Sequence, residues 1–166
     1  MELLEYAADV VSRALSNGGD MAEIYLEKKQ QTSLRVEAGQ IERVSSGTDM
    51  GAGIRLLCGD LTLYSHTNDV SLSGLIKAAD AVASGVSAER ANYRLDYSPQ
   101  VFSMPVRERP QDVPTEVKAR LALGADRAAR GFNPCVSQVR VVYADSLRRV
   151  TIVNSNGRYV QDVRPQ

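Results

Sequence analysis

The sequence predicts an α+β fold: an antiparallel meander sheet packed by an N-terminal helix and a following one, then a long connection, a helix and a β-hairpin. Three observations predict it. Residues 22–69 hold short apolar-alternating runs punctuated by glycine. Residues 2–16 and 69–84, on either side, repeat apolar residues at helical spacing. Near the end, Asn156-Gly157 joins two strand-like runs, and both residues tolerate the positive φ of a tight hairpin.

In the first helix, Leu3, Leu4, Ala7, Val10, Val11, Ala14 and Leu15 form one apolar stripe. Asn17-Gly18-Gly19 stops it, because glycine accepts the left-handed conformation at a helix C-terminus. Ala22, Ile24 and Leu26 then alternate with Glu23, Tyr25 and Glu27 as on a half-buried strand. Leu34, Val36 and Ala38 repeat the pattern, and Ala38-Gly39-Gln40 turns the chain into the run from Ile41. Ile54 and Leu56 precede a tight connection at Cys58-Gly59-Asp60, which leads into residues 61–65. Four or five antiparallel strands are expected in this meander. Asn68 or Asp69 is placed to cap the second helix, whose buried face is Leu72, Leu75, Ile76, Ala79, Val82 and Ala83.

Residues 85–112 carry Pro99, Pro105 and Pro110 and no sustained period, so they read as an extended connection along a surface or into a neighbour. A third helix starts at Pro114-Thr115-Glu116, presents Val117, Leu121, Ala125 and Ala128 on one face and ends at Gly131. Two strands are expected at 136–143 and 149–154, with 158–163 returning beside the second. The division is a helix–sheet–helix core at 1–84, a connection at 85–112, and a helix plus strands at 113–166 that continue the N-terminal domain.

Composition narrows the function classes. Twenty acidic residues balance twenty basic ones, so nothing pulls the whole chain toward nucleic acid or an anionic membrane. No apolar run approaches a bilayer span, and the N-terminus opens with acids, unlike a signal peptide. Cys58 and Cys135 stand far apart with no framework around them, and read as free thiols in a reducing cytoplasm.

No residue rises to a catalytic, cofactor-binding or metal-binding assignment. His66 is the single histidine; with only Asp69 nearby it falls short of the convergent ligands zinc requires, and reads as a strand-end or capping residue. Gly51-Ala52-Gly53 leads into an apolar strand, not a helix N-terminus, so it reads as a bulge or close packing in place of a phosphate cradle. Arg107, Arg109, Arg148 and Arg149 are interrupted by Glu108 and Asp145 and have no interleaved aromatics; they read as solvated surface or a protein interface. Ser45, Ser46, Ser65 and Ser155 have no activating base, since His66 points to the opposite strand face from Ser65. Glu23 and Glu27 lie on the solvent side of their strand and read as solubilising.

One resemblance goes further than these residues taken singly. Gly19-Asp20-Met21-Ala22-Glu23-Ile24 after the first helix, Gly51-Ala52-Gly53-Ile54-Arg55, and residues 62–69 before the second helix resemble the opening domain of the TldD/PmbA family. These are zinc-dependent peptidases once described as modulators of DNA gyrase. Val153-Asn154-Ser155-Asn156-Gly157 and Asp162-Val163-Arg164-Pro165 resemble the TldD branch. Leu63 departs from the family pattern, which usually has glycine there.

The resemblance implies a zinc metallopeptidase whose His-Glu-x-x-x-His motif lies beyond Gln166, so that the catalytic C-terminal domain is absent here. It also implies a homodimer, or a heterodimer with a TldE/PmbA-like paralogue, acting on unfolded or small peptides. This portion would supply packing, dimerisation and enclosure of the active-site cavity. The alternative is a standalone, non-enzymatic binding or regulatory module; association with nucleic acid is a third and weaker reading.

Overall fold

Among the residues that the computed structural model describes, 2–89 and 94–166, the order is α1 (Glu2–Ala14), β1 (Met21–Glu37), β2 (Gln40–Cys58), β3 (Leu61–Thr67), α2 (Leu72–Ala83), β4 (Arg94–Ser103), a 3₁₀ turn (Pro110–Asp112), α3 (Thr115–Phe132), β5 (Arg140–Asn154) and β6 (Asn156–Pro165). The side chains of residues 2–5, including Leu3 and Leu4, lie outside the description, as do residues 90–93. The fold is α+β with a mixed sheet.

The chain forms two compact units. The first comprises Met1–Lys28, Met50–Ser103 and Arg149–Val163. Its sheet takes segments of all six strands, in the order β3-β2-β1-β5-β6-β4. β2 and β3 pair antiparallel, from Cys58 opposite Leu61 to Ala52 opposite Thr67. β4 pairs parallel with β6, Phe102 opposite Asp162. α1 and α2 pack against each other and close a core of Val10, Val11, Leu15, Ile24, Ile54, Leu56, Leu75, Val82, Val153 and Tyr159, none more than 2% exposed. Each large aliphatic side chain buried there contributes about 1.5–3 kcal/mol. Leu63 packs against the same core and lies over Gly85, where an added Cβ would come 2.8 Å from its Cδ1. Leu63 is thus housed where residue 85 has no side chain.

The turns form where the sequence places them. Gly18 and Gly19 have φ of 103° and 117° just beyond α1, and Gly59 has φ 55° between β2 and β3. Ala38 and Gly39 are both at positive φ, the geometry of a two-residue turn whose twist suits a hairpin.

The second unit comprises Lys29–Asp49, Met104–Arg148 and Arg164–Gln166. It contains the hairpin tip of β1 and β2, α3 and the first part of β5, with Leu34, Val36, Ala122, Val139 and Leu147 buried.

Several expectations are corrected. The runs at 22–27 and 34–38 are one strand, β1, so three strands and not four or five occupy residues 22–69. The intervening Lys28-Lys29-Gln30-Gln31-Thr32-Ser33 is polar throughout, and a strand without an apolar face shows no period to read. The expected strands at 136–143 and 149–154 are likewise one, β5, which begins only at Arg140 and leaves 136–139 outside it. Ser71, not Asn68 or Asp69, caps α2: its Oγ accepts from Gly74 N at 3.2 Å. Asp69 Oδ1 instead accepts from Ser71 N at 3.0 Å, and the Ser71 side chain first, then this N–H, draws its carboxyl below the ordinary range. Leu72 is exposed.

Within residues 85–112, read from sequence as an extended connection, Arg94–Ser103 is paired as β4 and Pro110–Asp112 form the 3₁₀ turn. Pro99 is tolerated because β4 is the outermost strand. α3 buries Lys118, Ala122 and Asp126, one position round from the expected apolar face, and leaves Leu121 62% exposed.

Candidate functional site

His66 is exposed opposite Gly53 on β3, its ring stacked on Tyr64 at 6.3 Å. Gly53 provides the room for this: a Cβ there would lie 2.3 Å from the Tyr64 hydroxyl. Ser155 is fully buried, and its Oγ accepts from Ala22 N at 3.2 Å. Glu23 accepts from Arg55 Nη2 at 2.9 Å, a cross-strand ion pair and not merely a solvated carboxylate. Ser45 and Ser46 are exposed on β2, while Arg107 and Arg109 line a surface groove with Glu108 and Asp112.

Among the described residues no three His, Cys, Asp or Glu side chains gather as metal ligands do. The zinc that the resemblance implies has no matching ligand set among the described residues.

The concentration of buried polar chemistry lies in the second unit. Lys118 is on the first turn of α3, on the same face as Ala122 and Asp126. Its Nζ lies 2.6 Å from Asp145 Oδ2, and the two side chains are only 3% and 8% exposed. Tyr143, two residues earlier on the same side of β5, donates its hydroxyl to Asp145 Oδ2 at 2.8 Å. Burial, then the adjoining carboxylate, pushes the Tyr143 phenol up to about 12. At the other end of the α3 face, Asp126 Oδ2 accepts from Arg130 Nε at 3.0 Å, while its Oδ1 is buried without a partner.

The Lys118–Asp145 pair borders a cavity of about 250 Å³. Its walls carry hydroxyls and amides from four elements, among them Gln31 and Thr32 of β1, Thr48 of β2, Gln111 of the 3₁₀ turn and Thr115 of α3. A second cavity of about 310 Å³ shares Gln31, Thr32 and Asp145. Such a lining donates and accepts hydrogen bonds without adding net charge. It suits binding and has no activated nucleophile.

Sequence reasoning missed this pair because its members stand on different elements. The available signal was Lys118, Ala122 and Asp126 at helical spacing: one stripe with a charge at each end. Beside the same unit's strands, Glu37 accepts from Gln138 at 3.0 Å and from Arg140 at 3.2 Å, and these bonds, Arg140's the stronger, hold its carboxyl below the ordinary value.

Comparison with known proteins places this architecture. A Haemophilus influenzae metalloprotease TldD homologue is 26% identical over 153 residues, covering 88% of this chain and 31% of its own length. A Buchnera aphidicola metalloprotease TldD homologue is 23% identical over 150 residues, with the same coverage. The chain thus spans about a third of the length of the curated relatives it matches.

Among solved structures, a Thermotoga maritima protein named as a candidate modulator of a DNA gyrase superposes with TM-score 0.76 at 19% identity, over 97% of this chain and 37% of its own. TldE from Thermococcus kodakarensis gives 0.70 at 14% identity, over 96% and 37%. At these identities the superpositions show the shared fold alone. The family models are more specific. Residues 22–85 match PmbA/TldA metallopeptidase domain 1, and residues 108–166 match the PmbA/TldA metallopeptidase central domain. With two successive domains matched in order, the chain belongs to the PmbA/TldD metallopeptidase family.

Proposed function

We propose that this chain is the non-catalytic N-terminal portion of a TldD-like zinc metallopeptidase that acts on unfolded or small peptides. It contributes packing, dimer contacts and enclosure of the active-site cavity. The observation that carries this reading is the ordered match to a first and a central domain by a chain spanning 31% of its relatives. The boundaries 1–84, 85–112 and 113–166 are retained as proposed divisions of this portion.

The contact surface proposed is the outer strand β4, within the 85–112 connection, where Val101 and Phe102 are exposed. Exposed apolar side chains on a strand edge without a neighbour favour association. The partner is a second copy, giving a homodimer, or a TldE/PmbA-like paralogue, giving a heterodimer. Two free cysteines and no helix long and apolar enough to cross a membrane, among the described residues, support a cytoplasmic setting. The catalytic zinc belongs to the remainder of the whole protein, where it polarises the scissile carbonyl and activates water.

The test is copurification with a TldE/PmbA-like partner. Val101→Ser with Phe102→Ser is expected to abolish capture while leaving the circular dichroism unchanged; undiminished capture removes β4 from the interface. Intact mass and metal content of the gene product from its own cells test the larger claim. A zinc protein about three times the size of this chain supports the peptidase reading, in line with the 31% coverage. A metal-free product of this size supports the standalone module, which the self-contained core of the first unit favours.

A further inference from the structure

The cavity beside Lys118 and Asp145 has a feature that packing does not explain. A lysine ammonium carries three N–H donors, and a buried one satisfies them or destabilises the fold. Asp145 Oδ2 lies 2.6 Å from it, and among the described residues no hydrogen bond from Lys118 Nζ to a second acceptor is seen, so donors remain toward the cavity. Buried ion pairs add little net stability over apolar residues of the same volume, so the pair is not accounted for by stability alone.

We propose that this cavity binds a free α-amino acid with a small polar side chain. Charge selects the class. Lys118 and Asp145 are the only charged residues in the lining, and they cancel. A lone carboxylate reaching Lys118 brings an uncompensated negative charge beside the Asp145 carboxylate. A zwitterion does not, because its ammonium meets Asp145 while its carboxylate takes the spare donors of Lys118. Spacing selects the size. An α-amino acid separates its two charges by one carbon, matching partners 2.6 Å apart, whereas a dipeptide puts a full peptide unit between them. Thr32, Thr48, Thr115 and Gln111 then face the ligand's side chain with hydroxyls and an amide, and a volume of about 250 Å³ holds a small one. The site stands on the second unit alone and does not depend on the peptidase reading.

Isothermal titration of the chain with L-serine tests it. One saturable site is expected at about 10 mM ligand or below, with seryl-serine and acetate at least about tenfold weaker. The double variant Lys118→Met/Asp145→Leu removes both charges together, so neither is left orphaned, and is expected to lose serine binding while keeping its far-ultraviolet spectrum. In the unmodified chain, amide resonances of Thr32, Thr48 and Thr115 are expected to shift on titration. The proposal is overturned by an absence of saturable binding, by acetate or the dipeptide binding as well as serine, or by shifts confined to other residues.

Discussion

The carbonyl oxygen of Ala88 occupies the space where a side chain on Gly18 would begin: a Cβ there would lie 2.2 Å away. The two segments are held by the Ala88 N–H, which donates to Asn17 O at 3.0 Å, and Gly18 itself sits at φ 103°. Gly18→Ala therefore meets a backbone clash and a left-handed conformation at once. The expected loss is about 2–4 kcal/mol, read as a lower urea midpoint at constant slope. Gly47→Ala, with nothing within 4 Å of the new methyl, is the control and is expected to stay within about 0.5 kcal/mol.

Lys118→Met leaves the Asp145 carboxylate buried and without its counter-charge. A loss of about 3–5 kcal/mol is expected, and adding Asp145→Leu is expected to recover most of it. Denaturant melts of the single and double variants check this. Additive losses would show that the two residues do not act as a pair.

Asn154 is buried at the β5–β6 turn, where its Oδ1 accepts from the backbone N–H groups of Asn156 and Arg158, each at 3.1 Å. Asn154→Ala strands both donors and is expected to cost about 1–3 kcal/mol. Asn154→Asp keeps the acceptor and is expected to cost less. Hydrogen exchange at Asn156 and Arg158 should accelerate in the alanine variant and stay slow in the aspartate variant.

Alkaline pH provides a further test. Burial pushes the Tyr97 phenol up to about 12, and burial with the Asp145 bond does the same for Tyr143, against an ordinary value of 10.0. Above pH 10 the unfolded chain releases protons that the folded chain retains, so stability falls through the window from 10 to about 12 and is undiminished below it. Phenolate absorbance against pH should show a late-titrating fraction among the seven tyrosines, reduced by Tyr143→Phe. A single transition near 10 for all seven would contradict the burial of both.

Where side chains obey one local period, the sequence was readable. Val10, Val11, Ala14 and Leu15 marked α1, Leu75, Ala79 and Val82 marked α2, and Ala38-Gly39 and Asn156-Gly157 marked hairpins. β4 was hidden because its partner β6 is distant in sequence and because Pro99 argues against any strand but an outermost one. β1 was broken in two by six polar residues that the hairpin, not a core, holds extended. The α3 face was misjudged for a related reason: a charged pair buries Lys118 and displaces Leu121 outward. The candidate cavity follows from that rotation, and no local pattern joins Lys118 to Asp145.

The first unit is assembled from three separate stretches, the last of them Arg149–Val163. Its sheet places β5 and β6 between β1 and β4, so neither β1 nor β4 has its full set of neighbours until the end of this chain is made. During synthesis from the N-terminus, α1 and the β1–β3 meander emerge first and must wait with an open strand edge. Such high contact order slows folding and prolongs exposure to aggregation. Nascent chains stalled before residue 149 should therefore recruit chaperones, and those released after residue 163 should not.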